Sequence, residues 1–140
     1  MISRNQEHFI IMTVIYDELT DFTYGNKEYI RDAKFLMSEL SELPYENVSP
    51  FVKNMVSYCL NNYGKIKNTF NPHLVRWKWE RLPLLTQSIL LMSYAHYFES
   101  GENVDKKVVI DVAVRLAKEY IEEKQAKFIN AILDEVLKND

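Results

Sequence analysis

The stretch KFINAILDEVL, residues 127–137, has the pattern that decides the fold class of this chain. Its apolar residues recur at intervals of three and four, which is the spacing of one face of an α helix. That face must pack against other helices, because water disfavours so much apolar surface. The opposite edge carries Lys127, Asn130 and Asp134 beside the Phe128 ring. It is therefore either a solvated surface or a place where a charged partner docks.

The composition of the whole chain also favours helices. With 140 residues and 47% hydrophobic content, the chain is long enough for one domain with one core. It contains only three glycines and four prolines, too few for the tight turns of a β-sandwich or barrel. The single cysteine, Cys59, cannot form an internal disulfide, and its neighbours predict a small buried side chain in a reducing compartment.

The most apolar early run, FIIMTVIY at residues 9–16, predicts neither a membrane span nor a signal peptide. It is far shorter than the roughly 20 residues that cross a bilayer. No basic cluster precedes it and no small-residue cleavage site follows it. We therefore expect a cytoplasmic protein without a membrane partner.

The distribution of charge is more informative than its sum. A net charge of −3 argues against a general polyanion binder. Residues 49–81, however, contain six Lys or Arg against one Glu, whereas both flanking segments are acidic. A basic segment between two acidic ones can steer a phosphate-bearing partner.

Start and stop signals predict a compact all-α bundle of six to seven helices. Ser3 and Gln6 form a capping box for the first helix, and Ser49 followed by Pro50 begins the third. The other boundaries are predicted before Tyr24, near Asn26, before Pro44, at Gly64, at Pro83, near Glu99 and at Asp105.

Residues 65–81, KIKNTFNPHLVRWKWER, form a basic and aromatic connector that Pro72 interrupts. They open the second of two predicted helical subdomains, 1–64 and 65–140, of a single domain. Trp79 is expected in the core, because large aromatic side chains usually fill it. For Trp77 a core position and an exposed position are equally compatible with the sequence.

No catalytic or metal-binding motif is recognisable. The three glycines are isolated, which excludes a phosphate-cradling loop, and the three histidines have no cysteine or carboxylate at metal-ligand spacing. Glu122 and Glu123 would point about 100° apart on a helix, so they more simply provide a negative helix start. We expect neither an enzyme nor a cofactor.

Three segments in this order resemble a known family: WERLPLLTQSILLMSYAHY at 79–97, VDKKVVIDVAVRLAKEY at 104–120, and the stretch at 127–137. Their most specific parts are Ile-x2-Ala-Val-x-Leu-Ala-Lys at 110–118 and Lys-Phe-Ile-Asn at 127–130. Together they resemble the carboxy-terminal half of the NusB family of transcription antitermination factors. The resemblance implies an all-helical domain of two packed subdomains that catalyses no reaction.

The resemblance also implies partners. NusB proteins bind boxA, a short single-stranded RNA element of ribosomal RNA leaders, together with the ribosomal protein NusE. The heterodimer then joins an RNA polymerase antitermination complex, and some members form homodimers.

Site residues follow from the same resemblance. Phe128 would offer a ring for base stacking beside cations for phosphate, although ordinary core filling explains it equally well. The residues implied for RNA binding are Arg4, Gln87, Lys124, Lys127 and Phe128. Those implied for NusE binding are Tyr16 and the Glu80 to Thr86 segment, whose ends are Glu80 and Thr86.

Several positions depart from the family pattern. Arg4 stands alone where family members carry several arginines, Thr86 replaces a carboxylate, and Val112 and Arg115 replace acidic residues. Fewer cations predict weaker and less salt-sensitive RNA binding. The connector could compensate from another direction with its basic residues Lys65, Lys67, Arg76, Lys78 and Arg81.

Three hypotheses therefore stay open. The first is an RNA-binding antitermination factor that works with NusE. The second is a protein-interaction module or homodimer whose RNA face has decayed. The third is an RNA-guiding domain like the NusB-like segment of certain ribosomal RNA cytosine methyltransferases, which could act only in trans because the chain is too short for their cofactor-binding domain.

Overall fold

The computed structural model describes residues 2–23 and 29–138, which form seven α helices and no strand. The helices are α1 (Arg4–Thr23), α2 (Tyr29–Ser41), α3 (Pro50–Asn61), α4 (Tyr63–Phe70), α5 (Leu84–Phe98), α6 (Lys106–Tyr120) and α7 (Glu123–Val136). Short 3-10 turns lie at Tyr45–Asn47, Asn71–His73 and Trp79–Arg81. The predicted all-α class is confirmed.

Helix starts lie where local capping signals predicted them. The Ser3 N–H donates to Gln6 Oε1 at 2.8 Å, and the Gln6 N–H donates to Ser3 Oγ at 3.1 Å, which is a complete capping box. Ser49 Oγ accepts a hydrogen bond from the Val52 N–H, and Asp105 Oδ1 accepts one from the Lys107 N–H. The start predicted near Asn26 lies outside the described residues.

The predicted end of the third helix at Gly64 is wrong. The helix ends at Asn61, because both the backbone N–H and the side-chain amide of Asn62 donate to the Tyr58 carbonyl oxygen at 2.9 Å. These bonds satisfy the last turn and end it before Gly64, which lies inside α4 instead. The predicted subdomain division after residue 64 therefore falls within a helix, and the division itself stays a prediction.

Helix α5 lies at the centre of the molecule and is buried from Thr86 to His96. Its buried serine and threonine hydroxyls all have hydrogen-bond acceptors, since a buried hydroxyl without a partner is costly. Ser88 Oγ donates to the Met12 carbonyl oxygen of α1 at 2.6 Å. From α3, the Cys59 thiol donates to the Leu91 carbonyl oxygen at 3.3 Å, and burial raises the pKa of that thiol. The predicted burial of Cys59 is thus confirmed.

The two tryptophans have opposite surroundings. Trp79 is fully buried, as predicted, and its Nε1 donates to Tyr63 Oη at 2.9 Å while its ring stacks on Phe70. Trp77 is 57% exposed. The structure thereby resolves the position that the sequence left open. Helices α6 and α7 pack on each other and on α5.

Candidate nucleic-acid interface

We call the side of α7 that carries Lys124, Lys127 and Phe128 its outer edge. Phe128 lies there at the border between the core and solvent. Ile129 and Leu133 on the inner face are fully buried, whereas Phe128 is half-buried and packs against the core from the side. At about 100° per residue, Phe128 lies between Gln125 and Glu135 around the helix axis. One part of the ring therefore fills the core and another part meets solvent, and the role of Phe128 in RNA stacking stays a prediction.

Two hydrogen bonds fix this edge of α7 against neighbouring elements. Near its start, Gln125 Oε1 accepts from Thr86 Oγ1 of α5 at 2.9 Å. Near its end, Glu135 Oε1 lies 2.8 Å from His73 Nδ1, in the 3-10 turn that follows α4. Phe128 lies along the helix between these contacts, which hold α7 in place on both sides of it.

The cations beside Phe128 are accessible. Lys124 and Lys127 are exposed, and no carboxylate in the described part of the chain forms an ion pair with either. The nearby Asp134 is neutralised, because its carboxylate lies 3.0 Å from Lys106 Nζ. This edge therefore combines a partly exposed ring with two cations that no carboxylate pairs, a combination that suits unpaired nucleic acid.

Arg4 lies elsewhere, where α1 meets α3 and the loop after α5. Its guanidinium forms ion pairs with Glu102 at 2.9 Å and with Glu7 at 3.3 Å. The same group stacks over the Phe51 ring, and Glu7 also accepts a hydrogen bond from Ser49 Oγ at 2.5 Å. The positive charge of Arg4 is thus already compensated by two carboxylates.

Two buried histidines lie behind Arg4. The rings of His8 and His96 are 5.0 Å apart, and both residues are almost inaccessible. Burial, the nearby His96 and Arg4 lower the pKa of His8 to about 3, and burial also lowers the pKa of His96 although Glu102 opposes this. Both rings are therefore uncharged at neutral pH and add no cation to the start of α1.

Gln87 is buried, so the structure does not present it to RNA as the resemblance implied. Only 3% of it is exposed, and its Nε2 donates to the carbonyl oxygens of Trp79 and Leu82, each at 3.1 Å. The side chain closes the 3-10 turn onto the first turn of α5. Because its donors are used inside the protein, we assign Gln87 to the support of this turn.

The residues implied for NusE binding differ in accessibility. Tyr16 on α1 is 38% exposed, and Glu80 is exposed and ion-paired with Lys67. Thr86 is fully buried and donates to Gln125, so in this structure it cannot itself contact a partner.

Two features go beyond the sequence analysis, which left the first of them open and missed the second. The residues after the Asn71–His73 turn present Val75, 94% exposed, next to the exposed Trp77, and an indole between Arg76 and Lys78 was the signal available in the sequence. The second is a group of carboxylates on α1, whose oxygens lie within 4.8 Å of one another. An acidic group of this kind is by itself no evidence for a metal. Its members are Asp17, Glu18 and Asp21.

None of the helices in the described ranges combines the length and hydrophobicity that a membrane crossing requires.

Comparisons with known proteins give a consistent result. A model of the NusB family matches residues 8–138. A transcription antitermination protein NusB from Clostridium perfringens is 31% identical over 130 residues, which cover 81% of this chain and 95% of the relative. A protein of the same name from Clostridium botulinum is 36% identical over 107 residues, or 71% of this chain and 74% of the relative.

Solved structures show the same fold. NusB from T. maritima aligns with a TM-score of 0.76 at 19% identity, over 99% of this chain and 92% of that one. A chain in the crystal structure of a plectonemic RNA supercoil aligns with a TM-score of 0.74 at 22% identity, over 97% and 94%.

Proposed function

Because the chain belongs to the NusB family of transcription antitermination factors, we propose that it binds boxA-type single-stranded RNA together with the ribosomal protein NusE. The heterodimer then joins an RNA polymerase antitermination complex during ribosomal RNA transcription. This activity places the protein in the cytoplasm and requires no catalytic step.

The outer edge of α7 is the observation that supports RNA binding. Phe128 is half-buried, which fixes the ring while leaving part of its surface for a base. Lys124 and Lys127 are exposed cations on the neighbouring turns. Stacking contributes about 1–3 kcal/mol per base, and phosphate contacts add a salt-dependent attraction.

Tyr16 and Glu80 are the residues that we propose for contact with NusE. A partly exposed tyrosine offers an apolar ring and a polar hydroxyl, which is why this residue type is enriched at interfaces. Glu80 adds a carboxylate on the surface, next to Lys67. Thr86 contributes indirectly in this proposal, through its hydrogen bond to Gln125 of α7.

A second candidate function is a protein-interaction module or homodimer that has lost RNA binding. The observation in its favour is the pairing of Arg4, the basic residue at the start of α1, with both Glu7 and Glu102. A cation in that environment attracts a phosphate weakly, because the phosphate must either displace a carboxylate or bind next to its negative charge.

A titration distinguishes the two functions. Fluorescein-labelled boxA-type RNA is titrated with the chain, with and without purified NusE, and binding is followed by fluorescence anisotropy at low and moderate salt. The antitermination factor should bind the RNA at low salt and more tightly when NusE is present. Binding to NusE without any RNA binding, even at low salt, would instead support the interaction module.

A further inference from the structure

We propose that the segment 74–78, between the turns Asn71–His73 and Trp79–Arg81, is a second contact surface for unpaired RNA, with Trp77 as its stacking platform. This inference rests on the proposed RNA-binding function and adds a site that lies outside both α7 and the start of α1. We call these five residues, LVRWK, the connector loop.

The connector loop is fixed at both ends. Before it, the Leu74 N–H donates to the Asn71 carbonyl oxygen at 3.0 Å, and His73 contacts Glu135 of α7. After it, the Arg81 N–H donates to the Lys78 carbonyl oxygen at 2.9 Å, and Trp79 is fully buried. Little conformational entropy remains to be lost when such a short, anchored loop binds a partner.

The side chains that the loop presents are apolar and basic. Val75 is 94% exposed and Trp77 is 57% exposed, while Arg76 and Lys78 on either side of the indole are also exposed. Exposed apolar side chains rimmed by polar ones are a feature of interaction sites, whereas single exposed apolar residues need no explanation. The exposure of Trp77 shows that most of its indole does not fill the core, which Trp79, two positions away, does instead.

The charge of the surface favours a polyanion. No carboxylate in the described ranges forms an ion pair with Arg76, Lys78 or Arg81, and the carboxylate of Glu80 is already engaged by Lys67. Cations on both sides of an indole suit a phosphate backbone with unstacked bases, because the ring stacks on a base while the cations contact phosphates. We therefore assign the surface to single-stranded RNA.

The connector loop also lies beside the element that carries Phe128. His73, just before the loop, has its Nδ1 2.8 Å from Glu135 Oε1 of α7. Glu135 is seven positions beyond Phe128, or about 10 Å along the helix. In this proposal a strand bound at Phe128 continues to the loop, where Trp77 extends the contact to further nucleotides.

Anisotropy titrations of the full chain with boxA-type RNA, extended by unpaired uridines at either end, test the proposal. We expect Trp77→Ala to raise the Kd for the extended RNA roughly tenfold, whereas Trp77→Phe retains most of the affinity. Arg76→Gln with Lys78→Gln should reduce the slope of log K against log salt by about 1.4. Because Trp79 is buried, RNA should change the tryptophan emission of the native chain and not that of Trp77→Phe.

Matched controls come from α2, which carries Lys34 and Phe35, and from α3, which carries Lys53. Phe35→Ala removes another exposed aromatic ring, and Lys34→Gln with Lys53→Gln removes two other cations. Circular dichroism and thermal melting should show an unchanged fold for every variant. The proposal is supported if the connector-loop variants alone weaken binding of the extended RNA.

Three outcomes would overturn it. If the native chain binds RNA and the loop variants bind equally well, the second surface is excluded while the proposed function stands. If the loop variants lose NusE and keep RNA, the surface docks a protein. If the native chain binds boxA-type RNA neither with nor without the uridine extension, whether or not NusE is present, the proposed function fails. The second surface then fails with it.

Discussion

The guanidinium of Arg4 stacks over the ring of Phe51, with 3.6 Å between Cζ and the ring centre. Glu102 and Glu7 pair with the same guanidinium. Phe51, Glu102 and Glu7 therefore together fix the orientation of Arg4, the only Lys or Arg in the first turns of α1. Arg4 remains exposed, but this conformation places two carboxylates next to its charge. The affinity of this region for phosphate is reduced for that reason.

Replacement of Glu102 by glutamine should therefore strengthen RNA binding. The change removes one carboxylate from Arg4 and leaves the stack on Phe51 in place. We expect boxA-type RNA to bind a few-fold more tightly at low salt, with a steeper salt dependence, since one more cation is free to replace a counterion. Glu46→Gln, at an exposed position before α3, is the control for net charge. Equal gains in both variants would contradict a specific role for the Arg4 ion pairs.

Acid should destabilise the protein through His8. Burial lowers its pKa to about 3 in the folded state, whereas the unfolded chain takes up this proton near the ordinary value of about 6.5. Unfolding therefore binds a proton between these values, so the free energy of unfolding falls as pH decreases from about 6.5 towards 3, by at most about 1.4 kcal/mol per pH unit. The stabilising contribution of uncharged His8 is fully present above about pH 6.5.

The variant His8→Phe keeps a ring of similar size and cannot be protonated. Both ring nitrogens of His8 lack a hydrogen-bond partner within the described residues, so the substitution leaves no buried donor unpaired. Urea unfolding of the native and variant chains at a series of pH values should give stability curves that diverge below pH 6.5. Parallel curves through the acid range would show that His8 does not cause the loss.

Gln87→Leu should reduce stability without changing the site. The two carbonyl oxygens of Trp79 and Leu82 would lose the amide that now donates to them, which costs about 1–3 kcal/mol when the groups stay buried. The denaturation midpoint should fall while the affinity for RNA stays the same under folding conditions. If the Gln87→Leu variant is stable and binds RNA more weakly, Gln87 contributes to the RNA interface after all.

The two tryptophans should differ sharply in their contribution to stability. Trp79→Ala removes a fully buried indole and should cost about 3–5 kcal/mol. Trp77→Ala changes an exposed side chain and should stay within about 0.5 kcal/mol of the native value. Thermal melting of both variants checks this, and a large loss for Trp77→Ala would mean that the indole is part of the packing.

Local signals in the sequence predicted much of this fold. The capping box of Ser3 and Gln6 and the caps at Ser49 and Asp105 are confirmed, because each depends on bonds within three residues. The end of α3 was misplaced because Gly64 is a stronger generic stop signal than Asn62. The side-chain bond from Asn62 to Tyr58 decides that boundary.

The site was harder to predict because it depends on tertiary packing. The burial of Gln87 and Thr86 follows from the way the Trp79–Arg81 turn and α7 close over the start of α5. No spacing within one helix reveals such contacts. The half-buried position of Phe128 on α7 was left open for the same reason, and the exposure of Trp77 became clear only with the connector loop in place.

The salt dependence of RNA binding by the outer edge of α7 is the most direct test of RNA recognition by this chain. The double variant Lys124→Gln with Lys127→Gln and the variant Phe128→Leu, which keeps an apolar side chain for the core, are compared with the native chain and with Lys34→Gln plus Lys53→Gln. We predict that the lysine variant lowers the slope of log K against log salt by about 1.4 and that Phe128→Leu weakens binding at least fivefold. If both α7 variants fold and keep the salt slope and the RNA affinity of the native chain, the assignment of this edge to RNA is contradicted.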